Sequence, residues 1–189
     1  MMKNGWAIAV SGSGRYSDEG YIDGTFYRAA SYFLSIEKKL NKKHSLGLVV
    51  FGAPTIQGRS SISTQEAYDL TGNNYYNSYW GLQAGEKRNS RVRNTHKPRV
   101  MLNHYFDINK KTKLNSSVYY TFGRGGSTRL NWNNAADPRP DYYKNLPSYF
   151  NDPNQTAEFA SATAAWQSGD PTVTQLDWDY SIYLKKYKP

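Results

Sequence analysis

The chain contains no cysteine. Thiolate zinc sites, thiol nucleophiles and disulfide-stapled scaffolds are excluded on that ground alone. No apolar stretch approaches the ~18 unbroken residues of a membrane-spanning helix, which excludes helical spans. Acidic residues are scarce: 15 Asp and Glu stand against 24 Lys and Arg, a formal charge of +9. Heptads are missing, and no RRM, zinc-finger or helix-turn-helix pattern accompanies the basic residues. The N-terminal residues Met1-Met2-Lys3-Asn4-Gly5-Trp6 lead into only a short apolar run before Ser11. A secretory signal needs a longer one and a small-residue cleavage site. Read as a whole protein, the chain would then be cytoplasmic; read as a piece of a longer one, the missing signal says nothing.

Aromatic residues are plentiful, at 15% with 17 Tyr, 7 Phe and 5 Trp, while the mean hydropathy is −0.79. Disordered polar chains lack such aromatics. An ordered, polar, tyrosine-rich chain of 189 residues fits one domain at most, built of strands with one wet face. The positive charge invites a nucleic-acid reading. Its distribution argues otherwise, because lysines bunch in short turns (Lys38, Lys39, Lys42, Lys43; Lys110, Lys111, Lys113) and a third group, Lys87, Arg88, Arg91 and Arg93, sits in a long polar loop. No nucleic-acid partner is expected.

Period-2 alternation dominates and marks strands at about 5–14, 24–39, 45–54, 99–108 and 114–123. Trp6, Ile8 and Val10 share one face of the first, and Leu34 and Ile36 one face of the second. Leu46, Leu48 and Val50 follow in the third, then Val100, Leu102 and Phe106, then Val118, Tyr120 and Phe122. A weaker strand candidate covers 173–184, and 156–166 reads as a short helix with Thr156 as N-cap.

The connections are lopsided. Residues 40–44 and 109–113 make short, Asn-led, lysine-rich turns, whereas 15–23, 55–98 and 124–189 are long. Alternating short turns and long loops is the layout of outer-membrane barrels. With the lysine turns inward, all long segments fall outside, and Trp6 and Phe106 gather low while Phe26, Tyr27, Tyr119, Tyr120 and Phe122 gather high. Interfacial aromatic girdles belong at those levels. Five strands are too few to close a barrel, which needs at least about eight. The pattern therefore predicts an all-β antiparallel meander of about five long strands, an incomplete segment of a large transmembrane β-barrel with long outer loops.

The strings GWAIAVSGSGR (5–15), GTFYRAASYFLSIEKKLNKKHSL (24–46), FGAPTIQGRSS (51–61), YYNSYWGLQAGEKRNSRVRNTHKPRVMLNHYFDIN (75–109) and NAADPRPDYYKNLPSYF (134–150) resemble strands and outer loops of TonB-dependent outer-membrane receptors of the Bacteroidota type. The resemblance runs from residue 5 to about 175 and fades toward the Lys185–Pro189 tail. It implies the C-terminal barrel region of a plugged barrel of about 22 strands, without signal, TonB box or plug. It further implies a location in the cell outer membrane and uptake of a large scarce solute such as a metal chelate, vitamin or glycan. The implied partners are outer-membrane lipid and lipopolysaccharide and, in the intact parent, the plug domain, TonB and a surface lipoprotein.

Candidate chemistry lies in the long segments. Tyr75, Tyr76, Tyr79 and Trp80 precede Lys87, Arg88, Arg91 and Arg93, and a second group joins Arg139, Tyr142 and Tyr143 to Asp137 and Asp141 beside the stiffening Pro138 and Pro140. Aromatic faces stack on sugar or chelate rings and guanidinium groups hold carboxylates bidentately, which suits an anionic or glycan-like solute. The bland alternative is loop packing and contact with lipopolysaccharide phosphates. Asp18, Glu19 and Asp23 are close enough for calcium but lack EF-hand order, so ordinary solvation is the expectation. His44, His96 and His104 have no metal-ligand spacing. Gly12-Ser13-Gly14 and Gly123-Arg124-Gly125-Gly126-Ser127 lack the full dinucleotide and P-loop patterns and read as strand-to-loop exits. No metal, cofactor or catalytic group is assigned, and an enzyme is not expected. The competing readings are a soluble β-sandwich carbohydrate-binding module and, more weakly, a secreted hydrolase using Asp18 or Asp23.

Overall fold

The computed structural model describes residues 3–132 and 135–179. In chain order they form β1 (Trp6–Ser17), β2 (Phe26–Lys39), β3 (His44–Gly52), β4 (Thr55–Gly58), α1 (Gln65–Thr71), β5 (Trp80–Gln83), β6 (Glu86–Asn89) and β7 (Val92–His96). Then come β8 (Arg99–Asp107), β9 (Lys113–Thr121), β10 (Arg124–Ser127), three short 3-10 turns, α2 (Thr156–Gln167) and α3 (Pro171–Thr174). The fold is all-β in class, an antiparallel meander. The main sheet has eight strands in the order β10-β7-β4-β2-β3-β8-β9, with β1 on β2, and β5 and β6 form a separate hairpin. The chain divides into two compact units. The first takes Met1–Tyr16, Arg28–Ile56 and Asn94–Gly126, and the second takes Ser17–Tyr27, Gln57–Arg93 and Ser127–Pro189.

In the first unit the register aligns the alternation of each strand with its neighbour's. Leu34, Val50, Val100 and Tyr120 lie in one row across β2, β3, β8 and β9, and Ile36, Leu48, Leu102 and Val118 in the next. Lys38 Nζ sits 4.7 Å over the Trp6 ring, which puts Trp6 and the alternate residues Ile8 and Val10 on the same face. The other face is mixed: Glu37, Gly47, Asn103 and Ser117 form a polar row there, with Ser117 Oγ 2.7 Å from Asn103 Oδ1, and Ser35, Val49, Met101 and Tyr119 form the next. Ser13 and Ser31 meet on that face at 2.7 Å. A one-residue slip would exchange the two faces, so this pattern fixes the register. No large apolar side chain of this unit is buried among the described residues; Val10 is 75% exposed, Val118 65% and Leu48 40%.

Two prolines and a glycine interrupt three of these strands at one level. β3 stops before Ala53-Pro54 and resumes as β4, β7 stops before Lys97-Pro98 and resumes as β8, and β9 stops before Phe122-Gly123 and resumes as β10. Proline has no N–H for the ladder, but its carbonyl still accepts. Pro54 O takes the Ala30 N–H at 3.1 Å and Pro98 O the Phe122 N–H at 3.2 Å. Gly123 has φ +111°, and a Cβ there would lie 2.2 Å from His96 O, so only glycine fits. The meander is thus five long strands, three of them kinked side by side.

The second unit has a core. Ala67, Tyr76, Leu146 and Trp166 are buried together, with Tyr68, Leu70 and Val173 packed around them. Trp166 donates its indole N–H to Asn145 O at 3.0 Å and meets Tyr76 edge-on at 5.8 Å. Thr64 Oγ1 accepts the Ala67 N–H to start α1, and Gly72 at φ 60° ends it. β5 and β6 turn through Ala84-Gly85, both with positive φ, the turn hand that suits a two-residue hairpin.

Several sequence expectations need correction. Segment 55–98 is no open loop, since it holds β4, α1, β5, β6 and β7, and 124–189 holds β10, α2 and α3. The first long segment is shortened because β1 runs on to Ser17. Gly12-Ser13-Gly14 lies inside β1 and Arg124–Ser127 is β10, so neither is a loop exit. α2 forms where the helix was expected, but Thr156 is its first residue, after Gln155, which makes no side-chain cap bond. Val173 and Thr174 belong to α3 rather than a strand, and the rest of 173–184 past Asp179 lies outside the described residues. Met1, Met2, Asn134 and the Lys185–Pro189 tail lie outside them too. Tyr119 stands on the face opposite Val118 and Tyr120, where the alternation also puts it, and Arg99 covers its ring at 5.0 Å.

Candidate functional site

All ten candidate binding residues fall in the second unit, and its packing sorts them. Tyr76 and Trp80 are buried. Tyr76 donates its hydroxyl to Thr174 O at 2.7 Å, and burial, with Asp141 nearby, pushes the phenol well above its ordinary range. It holds the core and is withdrawn from solute. Trp80 packs beneath Lys87, whose Nζ lies 4.9 Å over the ring. Gly81 follows it at a tight approach, for a Cβ there would meet Leu176 O at 1.9 Å.

The guanidinium groups are also engaged. Arg88 lies 4.2 Å over the Trp178 ring and donates to Gln83 Oε1 at 2.6 Å, while Trp178 Nε1 donates to Arg88 O at 2.9 Å. Leu176 and Trp178 are buried here, so the chain beyond Gln175 is part of the packing. Arg91 sits 5.4 Å over Tyr79. Arg139 closes a bidentate pair with Asp137, its Nη2 2.7 Å from Oδ2 and its Nε 3.1 Å from Oδ1. Of the candidate arginines, Arg93 on β7 is exposed and enters no such pairing among the described residues.

What stays open is aromatic. Tyr142 and Tyr143 meet edge-on at 4.7 Å, Tyr143 and Tyr149 at 5.7 Å, and Tyr149 and Phe150 at 5.3 Å. This row is pinned from beneath. Leu146, between Tyr143 and Tyr149, is buried in the core, and the Glu66 carboxylate accepts Ser148 N at 2.8 Å and Ser148 Oγ at 2.6 Å. Tyr143 and Tyr149 remain about half exposed. Lys144 Nζ lies 5.9 Å over Tyr143. Such a row offers ring faces and edges with one ammonium beside them, which suits flat or ring-shaped solutes.

A second open aromatic pair joins Tyr21 and Tyr75, edge-on at 5.5 Å, with Tyr21 84% exposed. Tyr21 also lines a shallow cavity of about 310 Å³ with Gly20, Thr25, Gln57 and Arg59. Another, of about 180 Å³, is bounded by Tyr76, Trp166, Thr174 and Gln175. Tyr21, Arg59, Tyr149 and Phe150 were not among the sequence candidates. Tyr149-Phe150 closes the very Pro-containing string that supplied Tyr142 and Tyr143, so its omission had a readable signal. Tyr21 and Arg59 had none, because only folding brings residues 20–25 beside 57–60.

Two of the three acidic residues, Glu19 and Asp23, meet Lys87. Lys87 Nζ binds the Glu19 carboxylate directly and lies 3.7 Å from Asp23 Oδ1. The Lys87 bond, together with the Gly24 N–H, holds the Glu19 carboxyl below its ordinary value and raises Lys87 in return. His44 Nδ1 and His104 Nε2 lie 3.0 Å apart, and His96 Nε2 is 3.0 Å from Tyr32 OH. No group of three or more metal-ligating side chains occurs among the described residues. Compared with family models, curated proteins and solved structures, the chain matches none of them.

Proposed function

We propose that the chain is a wall segment of an outer-membrane TonB-dependent receptor, serving uptake of a large scarce solute. The observation that supports this reading best is the sheet of the first unit. One face carries Ile8, Val10, Leu34, Ile36, Leu48, Val50, Val100, Leu102 and Val118, in register and exposed or half-exposed. In water that face gains nothing, whereas fully burying each such side chain stabilises by ~1.5–3 kcal/mol. β3, β8 and β9 are each 9 residues long, within the length a tilted strand needs to cross a bilayer. Aromatics bound the band, with Trp6 and Phe106 at one end and Tyr32, Tyr120 and Phe122 toward the other. The opposite face carries Ser35, Glu37, Asn103 and Ser117, polar groups that suit a lumen, together with Phe33, Val49, Phe51 and Met101. In the parent, further strands would pair the outer edges of β1 and β9, since open edges in lipid are prohibitive.

The second unit supplies exposed aromatics for the solute, above all Tyr143 and Tyr149, with the half-buried Tyr142 beside them. The rival carbohydrate-binding sandwich would need a second sheet against the apolar face, and the described residues of the first unit form one sheet only. The absence of cysteine makes the test clean. Single cysteines at Leu48, Leu102 and Val118, and at Ser35, Met101 and Ser117, are labelled with a polarity-sensitive dye and the chain is offered phosphatidylcholine vesicles. The first three report hydrocarbon and the second three do not. Equal response on both faces, or a compact detergent-free monomer indifferent to vesicles, refutes the reading.

A further inference from the structure

The same four-residue turn closes both short hairpins. Asn41-Lys42-Lys43 leads from β2 into His44, the first residue of β3, and Asn109-Lys110-Lys111-Thr112 leads from β8 into β9. Asn41 Oδ1 accepts the Lys43 and His44 N–H groups at 2.8 and 3.0 Å, and Asn109 Oδ1 accepts those of Lys111 and Thr112 at 2.9 Å each. These Asx turns fix the backbone and leave each Lys-Lys pair outside it. Because β3 and β8 are neighbours, both turns emerge at one end of the sheet, and Asp107 N donates to Lys43 O at 2.8 Å between them. Lys38, Lys39 and Lys113 stand at their bases.

Little countercharge is present. Lys113 pairs with Asp107 at 3.2 Å, while Lys42, Lys43, Lys110 and Lys111 are exposed and make no ion pair among the described residues. Four like charges on adjacent rigid turns repel one another unless an anionic surface neutralises them. Their immediate neighbours are aromatic: Lys38 caps Trp6, and the His44 ring stacks on Phe106 at 4.2 Å beside His104. Lysines next to amphipathic rings at the border of an apolar band is the composition of a headgroup-level anchor. Ammonium groups on flexible stems also suit phosphodiesters held without fixed geometry.

We propose that the paired Asn-Lys-Lys turns form a binding surface for the phosphates of anionic phospholipid headgroups. It rests on the membrane reading of the adjoining apolar face. The test compares sedimentation of the full chain with vesicles of phosphatidylcholine alone and of phosphatidylcholine mixed with phosphatidylglycerol. The second protein carries Lys42→Gln, Lys43→Gln, Lys110→Gln and Lys111→Gln. Each lysine near an anionic surface strengthens binding about fivefold, so phosphatidylglycerol improves wild-type partitioning at least ~10-fold, and salt removes the gain. In the quadruple variant that gain is lost while binding to phosphatidylcholine is unchanged. A gain that survives in the variant overturns the inference. So does a short DNA duplex that binds the wild type as tightly as the anionic vesicles through the same lysines. A lysine-dependent gain with no binding to phosphatidylcholine supports the headgroup surface and sinks the hydrocarbon reading; binding to neither vesicle sinks both.

Discussion

The two units use their apolar residues in opposite ways. The second buries Trp166 to 1% exposure among Ala67, Tyr76 and Leu146, whereas the first leaves Val10 at 75%. Both draw on one chain of one composition, so the difference comes from arrangement. Strict alternation produces a continuous apolar face that no partner within the first unit covers. Irregular spacing, with helices and 3-10 turns, lets the second fold its few large side chains inward. Water therefore stabilises the second unit through its core, while the first leaves its apolar face uncovered among the described residues. Trp166→Ala should break this contrast most severely, destabilising the second unit by ~3–5 kcal/mol. Leu48→Ala in aqueous solution should change stability by less than ~0.5 kcal/mol. Denaturant titration of both variants in the absence of lipid measures this, and equal losses would mean that the sheet has a core after all.

In lipid the ranking moves to the sheet. Leu48 stands mid-band between Ile36 and Leu102, and Ser35 stands on the opposite face one residue from Ile36. Arginine at mid-bilayer on a lipid-facing position costs ~2–4 kcal/mol. Leu48→Arg should therefore depress insertion into vesicles by that amount, and Ser35→Arg should leave it nearly unchanged. Comparable insertion of the two variants would show that the faces have been assigned wrongly.

How far these features could be read in advance depended on the distance between the residues that make them. The strand faces were legible because period 2 is a local signal, and the register later joined Leu34, Val50, Val100 and Tyr120 without changing a face. Continuation past the kinks was not legible, since Pro54, Pro98 and Gly123 each look like a strand end in isolation. They lie at a common level across β3, β8 and β9, where the carbonyls of Pro54 and Pro98 accept the N–H groups of Ala30 and Phe122 on neighbouring strands. The candidate site was legible as composition but not as geometry. Tyr76 and Tyr75 are adjacent in sequence, yet one is buried and the other exposed. That outcome was set by Thr174 and Trp166, about ninety residues away. Arg139 looked like a free guanidinium although its partner Asp137 lies two residues earlier.

The smallest expected effect sharpens the comparison, since it separates charge from core within the second unit. Lys87 bonding keeps the Glu19 carboxyl ionised below its ordinary 4.5. A group whose pKa is lowered on folding adds stability above its unfolded value and loses it as pH falls through the folded one. For Lys87, raised above 10.5, the sign is reversed: its contribution is complete below that value and disappears as pH rises through the folded one. Between these limits the pair contributes ~0.2–1 kcal/mol, because both side chains are well exposed and salt screens them. Glu19→Gln should then lower stability slightly near neutrality and not at all once acid has protonated the wild-type carboxyl. Unfolding curves of the two proteins should converge as pH drops from about 7 to about 3, while Trp166→Ala keeps its full penalty throughout. A Glu19→Gln deficit that persists unchanged in acid would show that residue 19 acts through packing, and the electrostatic account of the pair would fall.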